Sequence, residues 1–336
     1  MKRSAEMIIK EIGPLSTGKR YEDRWQEFIQ HQNLNEDTPP KEDHFVEYFD
    51  YLRNTKKYAS STLWSIYSML NNKVQLNFGF KLQKFPRITL LLKSYEAGYT
   101  RKKAKEFSKE EVMKFLREAP DEGENIHLKV AVVLAYFGGL RCAELVSLTL
   151  DDFEFNQVTG MWVTYKVSKQ KGESISNKFN IPLQYCTYLQ KYDEILDNAK
   201  LGNGRVFKTY RVRQDGSGYY VNQPMGKHVL AKVPMKMALY LQLSDPKDYT
   251  GHSFRRTAAN VLAEGGASSS VMKKHFNWQS ENTSMKYIEN TQKSKIFVSS
   301  VMLKDDTSNT NVEQDHQKAE NVINFSNCQN VVLNFK

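Results

Sequence analysis

A mostly α fold with a small β-sheet, an α+β arrangement in two domains, is predicted by three features of the chain. Apolar residues recur at helical spacing through most of its length. One run, Met161 to Val167 (MWVTYKV), is aromatic and β-branched as a strand requires, and a second, Asn180 to Leu183, follows the turn material SKQKGES. Between Gly98 and Lys109 the composition turns basic and loses nearly all apolar residues (GYTRKKAKEFSK), which marks a domain boundary.

The N-terminal elements follow in order. Tyr21, Trp25, Phe28 and Ile29 predict an amphipathic helix between Lys19 and Asn33. Thr38-Pro39-Pro40 opens a second, carrying Phe45, Tyr48, Phe49 and Leu52. The Ser60-Ser61-Thr62 cap region starts a third, with Leu63, Tyr67, Leu70 and Val74, and a fourth runs from about Pro86 to Tyr95. These make a helical bundle over residues 1–100, without chemistry of its own. A basic linker, 101–108, carries Arg101, Lys102, Lys103 and Lys105, residues suited to phosphate contacts that strengthen DNA binding without reading sequence. The same run also reads as a solvated charge segment or a weak nuclear-import signal.

The second domain, 109–303, opens on a capping box, Ser108 with Glu111. A strongly apolar helix from about Ile126 to Phe137 ends at Gly138-Gly139. Arg141 then stands at a helix start, ahead of Glu144, Leu145 and Leu148. The MWVTYKV run and its partner form a hairpin or a small three-stranded sheet, whose turn offers Lys169 and Lys171. A helix covers about Ile181 to Asp197. Gly202 to Lys227 reads as a variable insertion with a turn at Gly216-Ser217-Gly218, and its arginines suit either DNA contact or plain solvation. Val233 to Leu243 is a further helix, stopped by Ser244-Asp245-Pro246.

Composition limits the functional classes. The 336 residues are 40% hydrophobic and 12% aromatic, which demands folded cores. A net charge of +10 points to a polyanionic partner, and no apolar segment is long enough for a bilayer, so no membrane association is expected. The N-terminus lacks a signal-peptide h-region, and an intracellular site is expected. Cys142, Cys186 and Cys328 lie far apart without metal spacing and read as reduced thiols. No nucleotide-binding loop is present, so neither metal nor cofactor is called for. Residues 304–336 read mainly as a flexible polar tail, although the preceding apolar run, Ile296 to Leu303, suits docking on a neighbour.

The chemistry gathers between Thr250 and Asn290. In TGHSFRRTAANVLAEGG, His252 and Arg255 stand three apart on one helical face, and Gly265-Gly266 closes the helix. A second helix spans Ser268 to about His275, and Trp278 precedes Tyr287 by nine residues. Taken singly, each reads blandly: a capping histidine, a half-buried tyrosine among 18 in the chain. Together with Arg141 and a hairpin lysine they form a set suited to phosphodiester exchange. A phenol ionises near pH ~10 and needs neighbouring positive charge and a base to become a nucleophile. Charge developing on phosphate oxygens suits two bidentate arginines.

The phrases GGLRCAELVSLTLDDF, YTGHSFRRTAA and NW-x(8)-KYIEN resemble the tyrosine recombinases of the phage-integrase superfamily, most closely the crypton-type eukaryotic branch. The resemblance implies a catalytic integrase domain preceded by a core-binding domain that clamps the duplex, and double-stranded DNA as partner. It implies Arg141, Arg255 and Trp278 as phosphate ligands, His252 as base and ligand, Lys169 as general acid with Lys171 the alternative, and Tyr287 as nucleophile. Glu144 and Asp152 would orient the arginine segment. His275 rivals Trp278, but lies twelve residues from Tyr287 where the family interval is nine. The implied activity is site-specific recombination or transposition through a 3′-phosphotyrosyl intermediate, by a tetramer on two DNA sites in the nucleus. A type IB topoisomerase shares a similar site, and a domesticated DNA-binding protein is a further reading; the short bundle and the GHSFRRTAA phrase favour the recombinase.

Overall fold

A computed structural model describes residues 15–98, 103–167, 176–201 and 204–303. The chain divides into two units, Met1–Lys102 and Lys103–Lys336.

The first unit contains four helices, α1 (Leu15–His31), α2 (Glu42–Asn54), α3 (Ser60–Phe78) and α4 (Pro86–Ser94). Trp25 and Phe28 of α1, Phe45 and Phe49 of α2 and Leu63 and Leu70 of α3 are buried together, as their spacing requires. Helix α3 ends at Gly79, whose left-handed backbone (φ 73°) reverses the chain without the steric cost a Cβ would bring. Helix α2 starts two residues after the Pro39-Pro40 pair, with Lys41 as N-cap.

The second unit is built around α6 (Gly123–Gly138), apolar on nearly all sides and buried from Ile126 to Tyr136. Around it stand α5 (Lys109–Glu118), α8 (Leu183–Asn198) and α10 (Val233–Tyr240). The Ser108 hydroxyl accepts from Glu111 N–H and the Glu111 carboxylate from Ser108 N–H, so the predicted capping box opens α5. After α6 come the six-residue α7 (Cys142–Ser147), a 3₁₀ turn over Leu150–Asp152, and an antiparallel sheet β1-β2-β3. Its strands are Phe153–Asn156, Gly160–Lys166 and Ser176–Ile181. Val163 pairs with Phe153 and Phe179, and Tyr165 with Asn177. Alternation buries Val163, Tyr165 and Val167 against α6.

The segment read as a variable insertion is a second antiparallel hairpin, β4 (Lys208–Val212) and β5 (Gly218–Pro224), turning at Gly216 (φ 84°). Its short, half-exposed strands lack the continuous apolar alternation that would have announced them. It docks through Tyr220, whose hydroxyl donates to Gly123 O (2.8 Å) and lies 3.1 Å from His127 Nδ1. The short α9 (Lys227–Leu230) leads into α10. The last helices are α11 (Ser253–Glu264), α12 (Ser269–Phe276), α13 (Asn282–Ile288) and α14 (Gln292–Met302). Helices α11 to α13 pack around a small core of Ala258, Ala259, Ala263, Met272 and Phe276, on which Trp278 and Tyr287 rest. No described helix is long and apolar enough to cross a membrane. Cys142 and Cys186 are free thiols; Cys328 and the rest of the tail lie outside the described residues.

Candidate active site

Arg255 is the buried centre. It projects from the first turn of α11 and is only 7% exposed. Two backbone carbonyls hold its guanidinium: Nη1 donates to Gly139 O at 2.6 Å and Nη2 to Phe276 O. One anchor is the turn before Arg141 and the other the end of α12, so a single side chain ties three segments together. Three of its five N–H donors remain for a further acceptor. Burial and the neighbouring charge of Arg141 lower its pKa to about 10, so it is still a cation at neutral pH.

Arg141 reaches the same place from α7. Its side chain donates to Glu144 Oε1 (2.8 Å) and its backbone N–H to Oε2 (2.7 Å). The Glu144 side chain is fully buried and that of Arg141 about one-third exposed, so the carboxylate forms a fixed base under a cation that faces outward. Asp152 works one turn downstream, accepting from Thr149 N–H (2.8 Å) and its hydroxyl (3.0 Å). His252 is exposed at the N-cap of α11. It sits beside α7 because the Cys142 thiol meets Gly251 O at 3.9 Å, with no room for a side chain on Gly251.

Trp278 and Tyr287 close the other side. The indole lies between Phe276 (ring centroids 4.6 Å apart) and Tyr287 (5.5 Å, planes within 4°), and 5.8 Å from the Arg255 guanidinium carbon. The left-handed Asn277 (φ 47°) ends α12 and sets the indole in place. Burial raises the Tyr287 phenol above its ordinary value; the charges of Arg256 and Arg255 pull it down, and Glu106 opposes them. His275, the sequence rival of Trp278, borders Arg255 as well. Its pKa is lowered by burial and by that arginine, while a hydrogen bond to the Phe137 carbonyl works the other way. Tyr287 stacks on the tryptophan.

Sequence reasoning did not single out Tyr165 and Asn177. The Tyr165 hydroxyl is buried and feels the charges of Glu144, Arg255 and Arg141, and Asn177 Nδ2 donates to it at 3.3 Å. Asn177 Nδ2 also donates to Lys274 O and His275 O, joining β3 to α12. The inward alternation of MWVTYKV was the available signal. Lys169 and Lys171, and likewise Arg101 and Lys102, lie outside the described residues; the strands flanking the two lysines end in the Lys166–Ser176 pair, one step beyond Tyr165–Asn177. Lys103 is exposed. Lys105, expected as a phosphate contact, donates to Ser244 O (3.1 Å), Ser244 Oγ (3.2 Å) and Asp245 Oδ2 (2.9 Å).

An arginine pair, an aromatic wall and a half-buried tyrosine on a helical domain with a small sheet define a DNA strand-exchange class of protein. Residues 105–294 match the model of the phage integrase family, and the chain belongs to that family, tyrosine recombinases that cleave and rejoin DNA. Among solved structures it is similar to a Tn1549 transposon integrase in complex with circular intermediate DNA (TM-score 0.59, 15% identity, 88% of this chain and 97% of that one). It is also similar to a lambda integrase dimer bound to a COC′ core site (TM-score 0.54, 13% identity, 93% and 96%). At these identities the likeness is one of fold. No curated protein matches the chain.

Proposed function

We propose that the protein is a site-specific recombinase or transposase that exchanges strands of double-stranded DNA through a 3′-phosphotyrosyl intermediate on Tyr287. The observation that carries this reading is the placement of the Tyr287 phenol on the Trp278 ring beside the buried, still cationic Arg255, itself next to Arg141. The Tyr287 oxygen attacks phosphorus and the bond from phosphorus to the 5′-oxygen breaks. The phenol proton passes to His252, and the departing 5′-oxygen takes a proton from Lys169, with Lys171 the alternative donor. Arg141 and Arg255 hold the non-bridging oxygens as charge builds there, and Trp278 walls off the site and offers its indole N–H. A 5′-hydroxyl from another strand reverses the reaction and completes the exchange.

Exchange between two sites requires several protomers. Helix α14 exposes Ile296, Phe297 and Met302 and buries no residue, and Leu303 at its C-cap is exposed too, which supports assembly into a tetramer on two duplexes. The YTGHSFRRTAA and KYIEN phrases support the crypton-type branch, and with it a nuclear site of action.

The test is covalent trapping. Wild type and Tyr287→Phe are incubated with nicked suicide duplexes of mixed sequence, without metal or ATP, then denatured in detergent. A DNA-shifted band present only in the wild type is expected. Binding without any band would sink the reading and leave a DNA-binding protein. A band accompanied by relaxation of supercoiled plasmid, but by no joining of two duplexes, would move it to topoisomerase.

A further inference from the structure

Helix α12 is eight residues long, too short to be stable by itself, and its last carbonyls are left over by the regular ladder of helical bonds. Side chains from two other elements take three consecutive ones. Asn177 Nδ2, on β3, donates to Lys274 O at 3.0 Å and to His275 O at 3.2 Å, and Arg255 Nη2, on α11, donates to Phe276 O. Asn177 shares with the buried Phe179 and Ile181 the face of β3 that packs on α6. Its amide nitrogen also lies 3.3 Å from the buried Tyr165 hydroxyl on the paired strand, and its Oδ1 accepts from Lys178 N–H at 2.9 Å, so both ends of the amide are engaged.

Phe276 carries the consequence to the site. Its carbonyl anchors Arg255, and its fully buried ring stacks on Trp278 with centroids 4.6 Å apart, 5.2 Å from the Arg255 guanidinium carbon. The peptide units that end in the His275 and Phe276 carbonyls are adjacent, and each is planar and stiff, so a shift of the first carries the second with it. The other anchor of Arg255, Gly139 O, stands at the end of α6, along which β3 packs. Asn177 thus ties the α12 anchor to the same frame that carries the α6 anchor, and the two carbonyls that hold Arg255 keep a constant separation.

We propose that Asn177 is a positioning residue for Arg255: by pinning the end of α12 to β3 it fixes the Phe276 carbonyl and, through it, the direction in which the remaining N–H groups of the guanidinium point. This rests on the reading of Arg255 as a ligand of the scissile phosphate. A bidentate arginine has to meet two oxygens with a rigid planar fork, so a small displacement breaks its grip. A misplacement of about 1 Å costs on the order of 100-fold in rate. The role requires a donor at position 177. Aspartate fills the same volume but turns an acceptor toward two carbonyls, and alanine removes the contact.

The experiment uses the full chain as wild type, Asn177→Ala, Asn177→Asp, Asn177→Gln and Arg255→Ala, each checked for folding by thermal melting and for DNA affinity by gel shift. Cleavage rates are measured on two suicide duplexes, one with an ordinary scissile phosphodiester and one with a methylphosphonate there. In the second a methyl group replaces one non-bridging oxygen and removes the charge that Arg255 meets. Separately, modification of Arg255 by phenylglyoxal without DNA is followed by peptide mass spectrometry, with the exposed Arg213 as reference. Asn177→Ala and Asn177→Asp are expected to bind DNA as wild type does and to cleave the phosphodiester at least about tenfold more slowly. On the methylphosphonate both come within about threefold of wild type, the pattern of Arg255→Ala in milder form. Arg255 becomes several-fold more reactive in both, and Asn177→Gln, which keeps the donor on a longer arm, restores part of each loss. An equal deficit on the two linkages would overturn the proposal and leave a structural clamp, and so would rates and reactivity equal to wild type in the folded variants. Should Asn177→Ala not fold, the isosteric Asn177→Asp decides. If the wild type forms no adduct on either duplex, the recombinase reading fails, while phenylglyoxal still decides whether Asn177 holds Arg255.

Discussion

The indole of Trp278 and the phenol of Tyr287 lie face to face, ring centroids 5.5 Å apart and planes 4° from parallel. The nine-residue interval that singled out these two in the sequence thus corresponds to direct contact across the end of α12 and the length of α13. The indole serves as a platform that limits how the phenol turns. Trp278→Phe keeps a ring under Tyr287 and is expected to retain stability within about 1.5 kcal/mol, the scale of an aromatic pair. Trp278→Ala loses the platform and is expected to lower the cleavage rate at least tenfold, with DNA affinity unchanged in a gel-shift titration.

Glu144 holds Arg141 through two bonds from a fully buried position. Glu144→Ala leaves both donors without an acceptor and is expected to cost about 1.5–3 kcal/mol in urea unfolding, the scale of hydrogen bonds to a charged group. Glu144→Gln keeps the shape and loses the charge; most of the stability returns but the cleavage rate remains depressed.

Gly139 combines a left-handed backbone (φ 56°) with a carbonyl that accepts from Arg255, and a Cβ there would run into the Phe276 ring. Gly139→Ala therefore displaces both of Arg255's anchors together. A loss of about 1–3 kcal/mol is expected, accompanied by loss of adduct formation, because the arginine is misplaced even though it is intact. Gly79→Ala, also left-handed but meeting nothing within 4 Å, is the control: a similar strain and no effect on adduct formation per folded molecule.

His127, only 2% exposed, has its pKa pushed down to about 4, chiefly by burial. Its folded value lies below the unfolded value of ~6.5, so the unfolded chain takes up a proton first as pH falls. The stability is complete above about pH 6.5 and is lost progressively toward pH 4, by at most about 3 kcal/mol. Urea midpoints at pH 7.5 and 5 should converge in His127→Gln compared with wild type; an unchanged difference would show that other groups carry the acid sensitivity.

What the sequence determined by itself was what local spacing encodes. Helical periodicity placed the bundle helices, the Ser108–Glu111 box the start of α5, and the β-branched run β2, because each depends on residues a few positions apart. The family motifs pointed to Arg141, His252, Arg255, Trp278 and Tyr287 as candidates for the same reason. The β4–β5 hairpin stayed hidden because its strands are short and half exposed, and its docking depends on single contacts such as Tyr220 to Gly123. Only tertiary structure decided that Arg255 is held by Gly139 and Phe276, that Asn177 bonds Tyr165 and joins β3 to α12, that Lys105 pairs with Asp245, and that Arg256 pairs with Glu106. Those partners come from segments far apart in the chain, and a buried charge is satisfied by whichever carbonyl or carboxylate folding brings to it, which no local pattern records.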